Sequence, residues 1–178
     1  MGVGTRTGKH LSGGQEAGQQ EPSGRTAEEK SQPWEEESGL YAWTTAHCKQ
    51  RGELAEMMFM VKARQKGFAA AKPYGDSRRY DFILDTGERL WRVQVKSSAR
   101  RIHNAYCING RGSPSRSHPM YTPEEIDFLV GFVVPRNAWY VIPVTALMGT
   151  TLLLYPDGRR CGGRYEKYRE AWHLLRKI

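Results

Sequence analysis

Leu54, Met57, Met58, Phe59, Met60, Val61 and Ala63 crowd the stretch Thr44–Lys66, which is otherwise rich in Ala, Glu, Lys and Gln and is stopped by Gly67. Those residue types favour a helix, and apolar positions around most of its circumference predict packing on a sheet. Lys62 and Lys66, one turn apart, are the expected solvent stripe. The period then shortens. Arg79–Asp85 and Arg89–Lys96 are β-rich and flank Thr86-Gly87-Glu88, which predicts a hairpin. Ala105–Asn109 reads as a third short strand, and Arg111–His118 as a loop. In Thr122-Pro123-Glu124-Glu125 a Thr cap, a Pro in the first position and a Glu three residues after the cap predict a capped turn. Phe128–Val134 and Ala138–Ile142 read as two more strands around Pro135-Arg136-Asn137, and Arg164–Lys177 as a closing amphipathic helix. The predicted architecture is α/β: helix, hairpin-rich sheet, helix, in a single layer arrangement.

Residues 1–40 fall outside this pattern. They hold almost no branched aliphatics and many Gly, Gln, Glu and Ser. Such a segment buries too little apolar surface to offset the entropy of ordering it, so it is expected to be a disordered tail before a folded domain at 41–178. Separating the two changes the charge picture. The tail carries Arg6, Lys9, Arg25 and Lys30 against seven Glu, a net of −3, so the chain's +8 becomes +11 over residues 41–178. A compact domain with that excess attracts polyanions, of which nucleic acid is the commonest.

Cys48, Cys107 and Cys161 are far apart, with no Cys-x-x-Cys pair for a structural zinc site. Their odd number argues against a disulfide framework and fits a reducing cytoplasm. The longest apolar run, Phe128 to Val134, is far too short to span a membrane, and the N-terminus lacks the apolar core of a secretory signal.

Strand side chains alternate between the faces of a sheet. In the second hairpin strand Trp91, Val93 and Val95 share one face, and Arg92, Gln94 and Lys96 the other. In the first, Tyr80, Phe82 and Leu84 oppose Asp81, Ile83 and Asp85. A Gly87-Glu88 loop with Gly first in a type II′ turn pairs Thr86 with Arg89 and sets Asp81 opposite Gln94. An acid, an amide and an ammonium then converge. Magnesium binds oxygen, often one or two carboxylates with waters and phosphate oxygens, so Asp81 and Gln94 suit it, and Lys96 suits the charge developing on a phosphodiester.

Arg51-Gly52-x-x-Ala55-Glu56, then Tyr80-Asp81-Phe82-Ile83, then Val93-Gln94-Val95-Lys96-Ser97, then Tyr121 to Phe128 with Tyr140 to Pro143 beyond, form an ordered set. This order resembles the PD-(D/E)XK nuclease superfamily over roughly residues 49 to 143. Within it the likeness is to the Gln-x-Lys subgroup of the cyanobacterial group I intron homing endonuclease, and more distantly to archaeal Holliday junction resolvases. The resemblance implies a restriction-endonuclease-like core and a Mg²⁺-dependent endonuclease acting on DNA as a homodimer or homotetramer. It implies Asp81, Gln94, Lys96 and Glu56 as catalytic residues, with Asp81, Gln94 and Glu56 toward the metal and Glu53 as the alternative helix acid. Two positions depart from the pattern: Tyr80 stands where Pro is usual, and Gln94 where most relatives carry an acid. The alternative reading is a nuclease-like fold that holds nucleic acid without cutting it.

Arg78, Arg79, Ser97, Arg100 and Arg101 flank the proposed site and suit phosphate contacts, or else form a solvated basic rim. Tyr121 and Asp127 read as structural, and Trp91 as core. His103 and His118 are either proton shuttles or polar surface, and Tyr165–Trp172 is core or an oligomer surface.

Overall fold

The structure is a computed structural model that describes Met1 and residues 48–75, 77–112, 119–158 and 163–176. The expected tail beyond Met1, the first residues of the predicted helix, His118 and Cys161 lie outside the described residues. All elements below belong to one compact unit, Ser31–Ile178.

Helix α1 (Cys48–Gln65) precedes β1 (Ala69–Ala71), β2 (Phe82–Asp85), β3 (Leu90–Ser98), β4 (Arg101–Ile102), β5 (Ala105–Asn109), β6 (Phe128–Val133), β7 (Ala138–Pro143) and β8 (Thr151–Leu154). Five strands form a mixed sheet in the order β1-β2-β3-β6-β7, in which only β3 and β6 run parallel. Strands β4, β5 and β8 form a second, antiparallel sheet. The single layer arrangement expected from the sequence is therefore incomplete: a second sheet accompanies the first.

The two faces of the larger sheet bury different clusters, as β alternation requires. On one side Phe82, Leu84, Val93, Val95, Val130, Phe132, Trp139 and Val141 meet Ala55, Phe59 and Ala63 of α1 together with Trp172 and Leu175. Phe59 is fully buried, a burial worth roughly 2–3 kcal/mol. Its ring lies 5.0 Å from that of Phe82, and Phe132 stacks on Trp139 at 4.1 Å. On the other side Leu129, Val133, Tyr140 and Ile142 meet Tyr106 and Ile108 of β5 and Leu152 and Leu154 of β8. Gly131 allows the second sheet to approach, because a Cβ there would sit 2.7 Å from Ile108 Cδ1.

Three expectations are corrected, and one strand appears for which the sequence reading had no assignment. Lys62 and Lys66 are not the solvent stripe: Lys62 lies 3.5 Å from Glu170, and the open face of α1 carries Leu54, Met57, Met60 and Val61. Strand β2 begins at Phe82 rather than Arg79, and Tyr80 joins the cluster on the second-sheet side. Ala69–Ala71 is a strand despite the high helix propensity of Ala. The closing segment is not an α-helix but two short 3₁₀ turns, Glu166–Tyr168 and Trp172–Arg176. Between them Arg169 bridges Tyr140, Glu170 N–H donates to the Trp139 carbonyl at 2.7 Å, and Glu170 takes a φ of 49°. Those contacts to β7 override the local helical preference.

Candidate active site

The β2–β3 hairpin has the register expected from its turn. Phe82 pairs with Val93, Ile83 with Arg92, Leu84 with Trp91 and Asp85 with Leu90. Thr86 N–H donates to the Arg89 carbonyl, and Gly87 takes a φ of +84°, as the first position of a type II′ turn requires. One step beyond the end of β2 the chain bends, and Asp81 N–H donates to the Val93 carbonyl at 2.9 Å, so that Asp81 and Phe82 both face Val93 and Asp81 meets Gln94 through its side chain rather than as its ladder partner.

Asp81 continues the ladder with its side chain. Its Oδ2 accepts the Val95 N–H at 2.8 Å and the Gln94 side-chain amide. Burial holds the Asp81 carboxyl above the ordinary aspartate range; the Val95 N–H works against this, and the Glu56 charge adds to it. Gln94 is buried, and its amide also donates to the Val95 carbonyl at 3.3 Å. Lys96 follows on the same face of β3. Burial pushes its ammonium below the ordinary lysine range, against the pull of Asp81 and Glu56 and with the help of Arg79.

Helix α1 brings in the second acid. Glu56 sits beside the buried Ala55 and is only partly exposed, while Glu53, one turn earlier, is exposed. Glu56 interacts electrostatically with both Asp81 and Lys96, and Glu53 with Lys72. Both acids line the cleft that includes Asp81, and Glu56 is the less exposed of the two. The Glu56 Oε2 accepts from the Lys72 ammonium at 2.5 Å.

Two clefts meet at this cluster and share Arg78 and Asp81. One, of about 320 Å³, is lined by Arg78, Arg79, Asp81, Gln94, Lys96, Gly112 and Tyr121. The other, of about 370 Å³, includes Glu53, Glu56, Lys72, Arg78 and Asp81. Arg79 forms a wall rather than a free arm. It lies over the Tyr121 ring at 4.8 Å, its Nε is 3.1 Å from Glu125 Oε1, and its Nη2 donates to the Pro119 carbonyl at 3.3 Å. Burial and the Asp81 charge push the Tyr121 phenol up, so Tyr121 is a site-lining residue as well as a structural one.

The segment bearing Tyr121 is tied to β3. Arg92 donates through Nη2 to Asp127 Oδ1 at 2.9 Å and to the Pro123 carbonyl at 2.7 Å, and through Nη1 to the Glu124 carbonyl. The Arg92 N–H donates to Asp127 Oδ2 at 2.7 Å, and the Asp127 N–H returns to the Arg92 carbonyl at 2.8 Å. Asp127 has the structural role expected of it.

Ser97, Arg100 and Arg101 line a third cleft of about 600 Å³ with Arg51, Ser98, Ala99 and Cys107, apart from Arg78 and Arg79. Arg101 is also held, 3.6 Å from Asp157 and 3.0 Å from Asn104 Oδ1. His103 sits exposed in the β4–β5 turn with a φ of 52°, away from the cluster. Trp91 is only partly buried; it packs edge-on to Phe128 at 5.1 Å and donates to the Leu175 carbonyl. Sequence reasoning missed Lys72, which follows an alanine strand and belongs to no motif. It also missed Arg92, whose partners lie more than 30 positions away.

A family model for PD-(D/E)XK endonucleases matches residues 46–175. Among solved structures the chain is similar to a bacterial homing endonuclease, I-Ssp6803I, at 31% identity and a TM-score of 0.66, covering 73% of this chain and 93% of that one. It also matches Hjc, a Holliday junction resolvase from the archaeal hyperthermophile Archaeoglobus fulgidus, at 16% identity and a TM-score of 0.44, covering 72% and 98%. A search of the curated proteins found no match.

Proposed function

The chain belongs to the PD-(D/E)XK endonuclease family, and from that premise we propose that it hydrolyses DNA phosphodiester bonds with the help of Mg²⁺. The observation that supports this reading is that Asp81, bonded to Gln94 and to the Val95 N–H, lines one cleft with Gln94 and Lys96 and feels the charge of Glu56.

The donor set fits a hard cation. Hydrogen bonds to Asp81 fall on Oδ2, leaving Oδ1 available, and Glu56 and the Gln94 amide oxygen add further oxygens. Among the described residues no group of three or more His, Cys, Asp or Glu forms a ready-made cage. Magnesium needs only one or two carboxylates, completed by water and substrate phosphate. When bound, it polarises the phosphate and acidifies a water.

The chain's own groups do the rest. The Lys96 ammonium, partly stripped of water, faces the charge that develops as the phosphodiester is attacked, and it is worth more there than in bulk solvent. Val95 N–H and Gln94 fix the Asp81 carboxylate. Arg78 at the junction of the two clefts suits a flanking phosphate, and Ser97, Arg100, Arg101 and Arg51 suit another stretch of backbone. The charge of +11 over residues 41–178 supports a polyanionic partner.

The test is cleavage of supercoiled, linear and four-way-junction DNA with and without Mg²⁺. The intact chain should cut at least one form only with the cation. Lys96→Met should lower the rate by about a hundredfold or more while DNA binding persists. Binding without cutting on every form would instead favour the non-cleaving module. Sedimentation of the same preparation reads the proposed homodimer or homotetramer.

A further inference from the structure

Lys72 occupies the acidic side of the site. Its ammonium is 2.5 Å from Glu56 Oε2, and Glu56, Glu53, Lys72 and Asp81 line one cleft. Lys72 follows directly on β1, its side chain is 57% exposed, and the Glu56 side chain is only 20% exposed. The anchored partner is the acid, and the lysine is the member free to leave. Two carboxylates, Asp81 and Glu56, thereby face two ammoniums, Lys96 and Lys72.

We propose that Lys72 is an exchangeable counter-ion of Glu56, which a divalent cation displaces to gain both oxygens of that carboxylate. The inference rests on the metal-site reading above. Lys72 holds Glu56 Oε2, so a cation that takes the whole carboxylate competes with it for that oxygen, and Lys72 needs only side-chain rotation to yield, since its side chain is largely exposed. Lys72 therefore sets how readily the free protein takes up metal. It keeps the cluster near neutral before the cation arrives and lowers the apparent affinity by the strength of the ion pair.

The experiment is Mn²⁺ binding to the full chain without DNA, followed through the electron paramagnetic resonance signal of the free ion. Lys72→Met should bind Mn²⁺ about two- to fivefold more tightly than the natural chain, the range set by a partly exposed ion pair. Arg78→Gln removes one charge from the same cleft without breaking the Glu56 contact, and should tighten binding less. Equal gains in the two variants, or no gain in Lys72→Met, would overturn the exchange. The metal-site reading is judged separately by Asp81→Asn, which should abolish binding. If Mn²⁺ binds the natural chain and Lys72→Met equally and Asp81→Asn removes it, the metal site stands and the exchange falls. If no variant nor the natural chain takes up Mn²⁺, both fall. Lys72→Met should leave the thermal midpoint within the small range of exposed substitutions, so a folding defect does not mimic either result.

Discussion

Replacing Gly131 by Ala tests the packing between the two sheets. The added Cβ would meet Ile108 Cδ1 at 2.7 Å, with Leu154 Cδ1 at 3.5 Å and Tyr140 Cβ at 3.8 Å. Relaxed carbon–carbon contacts lie at roughly 3.5–4.0 Å, so Ile108 must retreat by about 1 Å. Little is free to give. Gly131 is held on both sides, by Lys96 in β3 and Tyr140 in β7, and Ile108 is 2% exposed. Overpacking of this kind costs about 1–3 kcal/mol, against which the stiffer unfolded chain of Ala returns about 0.4–1 kcal/mol. Gly131→Ala should therefore lose about 1–2 kcal/mol in urea unfolding followed by tryptophan fluorescence. Ile108→Val removes the offending Cδ1 and alone should cost about 0.5–1.5 kcal/mol. If the clash is the cause, the double variant is no less stable than Gly131→Ala alone, because the second change relieves the first. That is a departure from additivity of about 0.5 kcal/mol or more. Strictly additive losses, or a neutral Gly131→Ala, would refute the account of the interface.

Arg92→Leu removes four hydrogen bonds to Asp127, Pro123 and Glu124 and leaves the Asp127 carboxylate with one backbone donor; it should cost about 2–4 kcal/mol in chemical denaturation, discounted for partial exposure. Gly112→Ala should cost about 1 kcal/mol in chemical denaturation, because the new Cβ meets the held guanidinium of Arg79, at 2.7 Å from Nη1. It should also slow cleavage several-fold by shifting the wall beside Lys96, and an unchanged rate would deny Arg79 a place in the site. Lys96→Met should raise the thermal midpoint at neutral pH, since the natural chain keeps a desolvated ammonium whose protonation folding disfavours. With a folded pKa below the unfolded one, that handicap is full below the folded value and fades as pH rises toward the ordinary lysine range. The gap between the two proteins should close at alkaline pH, and a gap that widens there would contradict the sign. Asp81→Asn should likewise gain stability as pH rises through the aspartate range, because burial raises the folded pKa and the natural carboxyl loses stability once ionised.

Much of this site was legible because a hairpin is local. The turn at Gly87 and the alternation of Trp91, Val93 and Val95 with Arg92, Gln94 and Lys96 suffice to fix the pairing as far as Phe82 and Val93, one residue short of Asp81, which reaches Gln94 across a bend. Glu56 came into view only through the likeness of Arg51-Gly52-x-x-Ala55-Glu56 to the family pattern, with Glu53 as its alternative. Lys72 did not, since its meeting with Glu56 depends on how β1 docks beside α1. The second sheet escaped notice for a similar reason: Arg101–Ile102 and Thr151–Leu154 are too short for a periodic signal, and Thr151–Leu154 pairs with β5 across some 45 residues. The closing segment misled because Tyr165, Tyr168, Trp172 and Leu175 have helical spacing, yet the Trp139 backbone competes for Glu170. The open face of α1 misled in the opposite sense, with Leu54, Met57 and Val61 facing outward while small Ala55 and Ala63 face the core.

The Val95 amide gives its proton to the Asp81 side chain where a neighbouring strand would ordinarily supply a carbonyl. Its hydrogen exchange is therefore a gauge built into the candidate site. Exchange there is governed by whether one carboxylate stays in place, whereas exchange at the adjoining amides follows the opening of the sheet. A ligand that draws Asp81 away would make this single position exchange faster even as the protein around it becomes more protected.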